Sequence, residues 1–298
     1  MKYFICVTAV LAALSCVGTV GATTFFPAEM KCPVGGKTFK YQAIGSNSYW
    51  GSRPDGRPYS PMPVTPMPEC PDNYLVVYRE FTPEEIGNLK TLLQSPGYLA
   101  LMDRPQVYRA AWLEKSLKPQ SESYPWMVLQ AAWTESNGSP ARAGYLREFA
   151  QIAATTPVKI EKMDSIVLQM RAANAWRELG DFDTAASTLD ALPLDALAKG
   201  LPDDPELIKK LNEEAGTRWN MLDYIKRLRV VISRKDSSAE PLDMIPPREA
   251  ASQCFFTAET LTDFGKAFCQ SEDIKKEIEE SRQYWEPQKA EMDKAAKR

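Results

Sequence analysis

Four cysteines, one glutamate and a cluster of aromatic and arginine side chains are the residues of this chain whose types and spacing could do chemistry. Cys32 opens Cys32-Pro33-Val34-Gly35, and Cys70 opens Cys70-Pro71-Asp72-Asn73. A Cys-x-x-Cys turn grips a metal between two thiolates. Each of these turns keeps the first cysteine and carries something else, Gly35 or Asn73, in place of the second. The chain contains no histidine. That excludes a Ser-His-Asp triad, a Cys-His pair and every His-ligated zinc site. Two thiolates cannot close a tetrahedral zinc site, so no metal and no cofactor are expected. Any catalysis would fall to carboxylates, Lys, Tyr or a Ser-Lys pair. The specific carboxylate is Glu135, in Trp133-Thr134-Glu135-Ser136-Asn137-Gly138-Ser139-Pro140. A helix end at Asn137-Gly138 followed by an N-cap at Ser139 explains the same segment without catalysis. No catalytic residue is assigned, and the chain is read as non-enzymatic.

A second group lies in the loop Tyr49-Trp50-Gly51-Ser52-Arg53-Pro54-Asp55-Gly56-Arg57-Pro58-Tyr59. Tyr49, Trp50, Arg53, Arg57 and Tyr59 could bind a glycan or peptide by stacking and forked hydrogen bonds. The competing reading is a long loop packed onto its own domain by its aromatics.

Composition narrows the setting. Residues 1–22 read as a cleavable export signal: Lys2, an apolar run over 4–17, and Val20-Gly21-Ala22 as the cleavage site. The run is too short to span a bilayer, and no later segment is long and apolar enough. Cleavage would leave about 276 of 298 residues, starting near Thr23 in an oxidising compartment, periplasmic or secreted. The alternative is a lipid anchor on Cys16. The chain's net charge of −3 becomes −4 without Lys2, with both signs mixed. That balance argues against a nucleic-acid partner, which wants a concentrated basic face.

The elements that must position these residues fall into three stretches after the leader. Residues 23–80 read as a small β module, with a turn at Gly35-Gly36 entering a strand and Tyr74-Leu75-Val76-Val77-Tyr78 as the best strand candidate. Residues 81–234 read as helical. Thr82-Pro83-Glu84-Glu85 combines an N-cap, a proline at the first helical position and a capping-box Glu. Helices are expected over 83–94, 104–117, 125–136, 140–154, 160–179, 182–192 and 205–234, the last breaking near Gly216. Residues 235–298 read as a linker and charged helical tail, the polar, proline-bearing segment from Ser233 to Arg248 being a linker or a surface strap.

Three resemblances add to this reading. The paired Cys-Pro turns resemble the knuckles of a zinc ribbon. In such a ribbon the two cysteines would share a metal with sulfurs about 4 Å apart, and the resemblance therefore implies a Cys32–Cys70 disulfide in place of the metal. Residues 31–234 resemble an uncharacterised bacterial family in which a ribbon-like module precedes tetratricopeptide-like helices. That likeness rests on the two turns, Asp55-Gly56-Arg57-Pro58, Phe81-Thr82-Pro83-Glu84-Glu85 and the segment from Ala173 to Leu192, and it implies no activity. Within it, Ala173-x-x-Trp176-x-x-x-Gly180-Asp181-Phe182-x-x-Ala185-x-x-x-Leu189 follows one tetratricopeptide unit. The Glu135-Ser136 pair resembles the turn of lytic transglycosylases, without their downstream glycine- and glutamine-rich motifs.

The fold expected is mainly α, tetratricopeptide-like helical hairpins with a small N-terminal ribbon-like β module. Four cysteines allow three pairings. Alongside Cys32–Cys70 the expectation is Cys254–Cys269. A straight helix would hold residues fifteen apart at about 22 Å, and a disulfide needs Cα atoms within about 7 Å. The chain must therefore fold back, with Gly265 the natural place. Cys32–Cys254 or Cys70–Cys269 would instead tie the tail to the N-terminal module. The function expected is an exported binding or scaffolding protein of the cell envelope with an unknown protein or peptide partner. The alternative is a carboxylate-dependent enzyme acting on cell-wall glycan through Glu135.

Overall fold

The computed structural model describes residues 23–202, 205–208, 210 and 212–296. The proposed leader lies outside the described residues. Two antiparallel strands, β1 (Thr24–Lys31) and β2 (Thr38–Ser46), form a hairpin paired from Thr24↔Ser46 to Lys31↔Thr38, with a bulge near its open end. The first Cys-Pro turn is the loop of this hairpin. Pro27 sits within β1, which a strand of a two-stranded sheet tolerates because its N–H can face outward.

The second Cys-Pro turn repeats the backbone of the first. Cys32 N–H donates to Lys37 O (2.8 Å) and Gly36 N–H to Cys32 O (3.1 Å). Cys70 N–H donates to Leu75 O (2.9 Å) and Tyr74 N–H to Cys70 O (3.0 Å). The fourth residue after each cysteine has positive φ, +74° at Gly36 and +58° at Tyr74. The segment beginning at Tyr74 is therefore not the strand its β-rich composition suggests. The turn consumes Tyr74, and only the Glu69↔Val76 bridge remains.

From Pro83 the chain is helical: α1 (Pro83–Leu92), α2 (Pro96–Leu99), α3 (Gln106–Leu117), α4 (Ser123–Trp133), α5 (Pro140–Ala154), α6 (Met163–Glu178), α7 (Phe182–Asp190), α8 (Leu194–Ala198), α9 (Pro205–Ile208) and α10 (Glu213–Ser233). The cap signals act as their chemistry requires. Thr82 and Glu85 close a full capping box on α1, and the Ser139 side chain accepts from Arg142 N–H at the start of α5. Helix α4 ends at Trp133 with its C-cap at Thr134, three residues before Asn137. The expected break at Gly216 falls elsewhere. Asn212 caps α10 through Ala215 N–H (2.8 Å), and Gly216 lies inside its first turn.

Helices α3 to α6 pack each on the next around one core of Ala110, Ala111, Val128, Ala132, Phe149, Ala150 and Ala172. A second core joins α6 to α7, α8 and α10 through Ile166, Met170, Leu189, Leu197 and Leu228. Helix α6 serves both, so it is buried nearly all round rather than along one stripe. Its alanines let neighbouring helices approach closely. A separate core under the second knuckle holds Leu75, Leu89, Tyr98 and Leu113.

Of the two readings of the segment before the tail, linker or surface strap, residues 234–246 form the strap. Arg234 pairs with Asp236 and Asp243, and Leu242 and Met244 are buried on a 3-10 turn. Beyond it lie α11 (Pro247–Phe256), α12 (Asp263–Phe268) and α13 (Glu272–Ala296). The charged α13 is anchored: Ile274 and Trp285 are buried, with Trp285 against Phe255 and Phe256 of α11. From Glu286 onward it is mainly solvated. No helix among the described residues is long and apolar enough to cross a membrane.

Candidate functional site

All four cysteines among the described residues are paired. Cys32–Cys70 joins the two knuckles, and Cys254–Cys269 closes the tail, each with Cα atoms 5.6 Å apart. The tail reverses at residues 257–262, before the expected place; Gly265 lies within α12. At the knuckles, the two positions where second cysteines would stand hold Gly35 and Asn73. Asn73 uses its amide to tie the turns together, donating from Nδ2 to Val34 O (2.9 Å) and accepting Leu75 N–H at Oδ1 (3.1 Å). Among the described residues, no group of three or more Cys, Asp or Glu has the spacing to hold a metal ion. The second knuckle is fixed to α3 by a forked Arg109–Glu69 pair (3.0 and 2.7 Å).

The loop of residues 49–59 is folded back as a narrow hairpin. Tyr59 N–H donates to Gly51 O (2.8 Å) and Arg53 N–H to Arg57 O (2.9 Å). At its tip, Arg53-Pro54-Asp55-Gly56 makes a tight turn in which Asp55 Oδ1 accepts Arg57 N–H (2.9 Å). This tip is driven into the helical domain. Pro54 O accepts from the Tyr224 hydroxyl of α10 (2.7 Å) and from Arg171 of α6.

Asp55 then anchors a buried ionic network. Its Oδ2 accepts from Arg142 Nη2 of α5 (2.8 Å), which also donates to Glu178 Oε2 of α6 (2.8 Å). Arg142 Nη1 reaches Ala132 O at the end of α4 (2.8 Å). Asn174 Nδ2 donates to the other Glu178 oxygen (3.0 Å), and Arg177 grips Asn174 Oδ1. Arg177 continues to the strap, donating to Asp236 O (2.6 Å) and Ser238 O (2.8 Å). Arg53 pairs with Glu240 on the strap (3.1 Å) and donates to Asn137 Oδ1 (3.1 Å). Burial, then the nearby Asp55 charge, push the Glu178 carboxyl above its ordinary range against the pull of Arg142 and Arg177. Burial lowers Arg177. One loop thus bolts together α4, α5, α6, α10 and the strap.

Arg53 is 2% exposed, its guanidinium held inside the protein by the Glu240 ion pair and the Asn137 hydrogen bond, with its buried Nε making no hydrogen bond. Arg57 and Tyr59 are half-buried, Tyr59 against the tail core. Tyr49 and Trp50 alone of the five stand out, at 65% and 49% exposed, with Trp50 Nε1 donating to Glu249 of α11 (2.9 Å). Sequence reading missed Asp55, Arg142, Asn174, Arg177 and Glu178 as a connected set. A signal was present: Asn174 and Arg177 interrupt the core-facing alanines of α6, where a polar side chain needs a buried partner. Glu135 is half-buried on the turn after α4.

Fold and site together define a mainly helical protein closed by two disulfides and clasped by its own N-terminal loop. No family model, no curated protein and no solved structure matches the chain.

Proposed function

We propose that the chain is an exported, non-enzymatic binding or scaffolding protein of the cell envelope, periplasmic or secreted, that engages a protein or peptide partner. The observation that carries this reading is the pairing of all four cysteines downstream of the leader pattern in two disulfides. Disulfides persist in oxidising compartments and are rare where thiols are kept reduced. The stiff loop clasp supports a binding role, because it holds Tyr49 and Trp50 exposed on a fixed backbone. Intact-mass measurement of protein from the native host, joined to mild cross-linking and capture, tests it. The expected result is an N-terminus near Thr23, no free thiol and a specific cross-linked protein that Tyr49→Ala/Trp50→Ala no longer captures. An unprocessed Met1 with all six cysteines as reactive thiols would overturn the export reading. Capture unaffected by the double substitution would overturn the assigned surface.

A further inference from the structure

Helices α3, α4 and α5 enclose a cleft of about 360 Å³ lined by Tyr108, Trp112, Lys115, Ser116, Tyr124 and Glu148. It lies away from the loop clasp, and nothing in the ionic network uses it. Its hydrogen-bond inventory is one-sided. Tyr108 and Tyr124 donate their hydroxyl protons to the two oxygens of Glu148, at 2.8 and 2.7 Å. Burial and then Glu148 hold both phenols well above their ordinary range, so both keep those protons to donate. Ser116 gives its proton to Trp112 O (2.8 Å). Each of these hydroxyl oxygens is left able to accept. The cleft therefore offers three aromatic side chains, a carboxylate and acceptor lone pairs.

The side-chain amine in the cleft is Lys115, and it behaves as a cation there would. Its Nζ lies 4.9 Å from the Tyr124 ring centroid and 3.3 Å from the Tyr124 hydroxyl. Aromatic faces attract an ammonium through the ring quadrupole, more strongly when the site is partly desolvated. Lys115 is itself exposed on a flexible stem, so it can swing away.

We propose that this cleft binds a primary alkylammonium group, with Glu148 supplying the charge, Trp112 and the tyrosines the π faces, and Lys115 occupying the place as an internal competitor. A primary ammonium fits better than a quaternary one because its N–H groups use the phenol and serine acceptors. The group could come from a free amine or from a lysine side chain of a partner. The inference deepens the binding reading above and rests on it.

Titration of the purified full-length protein with n-butylammonium, followed by the indole N–H resonance of Trp112, tests it. The expected result is a saturable shift that n-butanol does not produce and that choline produces at least about threefold more weakly. Lys115→Ala should tighten binding about threefold to tenfold by removing a like charge at close range. Glu148→Gln, which keeps one acceptor for the tyrosines, should weaken it at least tenfold. Nα-acetyl-lysine methylamide binding tenfold tighter than n-butylammonium would assign the lysine of a protein partner; equal binding would assign the amine alone. A shift of equal size with n-butanol, or no tightening on Lys115→Ala, would overturn the proposal. Lys115 is exposed, so that arm stands even if Glu148→Gln fails to fold. Loss of the titration with partner capture intact would retire the cleft and leave the binding reading in place.

Discussion

At the scale of single residues, Asp55 carries more of this molecule than any side chain singled out by its chemistry. It is a surface-type residue in a Pro-Asp-Gly turn, yet its carboxylate meets Arg142 inside the helical domain. Removing one partner of a buried ion pair leaves the other charge uncompensated, at a cost of about 3–5 kcal/mol. Asp55→Ala should lower stability by about that amount, read from the urea midpoint at unchanged slope. A cost below about 1 kcal/mol would mean that Arg142 is satisfied by Glu178 and Ala132 O alone. Arg53 teaches the opposite lesson about composition. An arginine between aromatics suggests ligand binding, but its guanidinium is buried against Glu240 and Asn137, with Nε left without a hydrogen-bond partner. Nothing in its local sequence distinguishes the two fates.

At the scale of elements, the α6–α7 hairpin was legible in detail. The Gly180-Asp181-Phe182 turn lies where the periodicity puts it, with Asp181 capping α7 through Thr184 N–H (3.0 Å). Trp176 is half-buried and touches both helical cores, so it is a bridge rather than a fully enclosed core residue. Gly180 has φ +80° and open space where a Cβ would stand. Its substitution therefore reports backbone strain alone. Gly180→Ala should cost about 1–2 kcal/mol, and Gly180→Asn less, since Asn tolerates the left-handed region. Equal costs in thermal melts would show that something other than backbone conformation governs this turn. The failed elements have local causes. β propensity favours a strand at Tyr74, but the knuckle hydrogen bonds need a positive φ there.

At the scale of the whole molecule, several cores are joined by few covalent ties. The tail core of Ala250, Ala251, Ile274 and Trp285 is closed by Cys254–Cys269 and meets the rest through the strap and the loop. A disulfide closing about fifteen residues stabilises by about 3 kcal/mol in the chain-entropy account. Cys254→Ser/Cys269→Ser should release the tail as a unit. Hydrogen exchange would speed in α11 and α13 and stay slow in α3 to α6. Uniform acceleration across all helices would show one cooperative unit instead.

Sequence alone determined the mainly helical class, the caps that start α1 and α5, the Gly-Asp-Phe hairpin and the strand entered from the Gly35-Gly36 turn. Each depends on residues within a few positions of one another, where backbone freedom, capping oxygens and apolar period act locally. Each Cys-Pro turn was legible locally, but the Cys32–Cys70 pairing across 38 positions followed only from what the ribbon resemblance implies. Only the tertiary structure decided where the loop of residues 49–59 goes. Asp55 and Arg142 lie 87 positions apart, and a charged pair over such a distance leaves no periodic trace. The same holds for the cleft between α3 and α4, whose tyrosines are ordinary helix residues until α5 brings Glu148 between them.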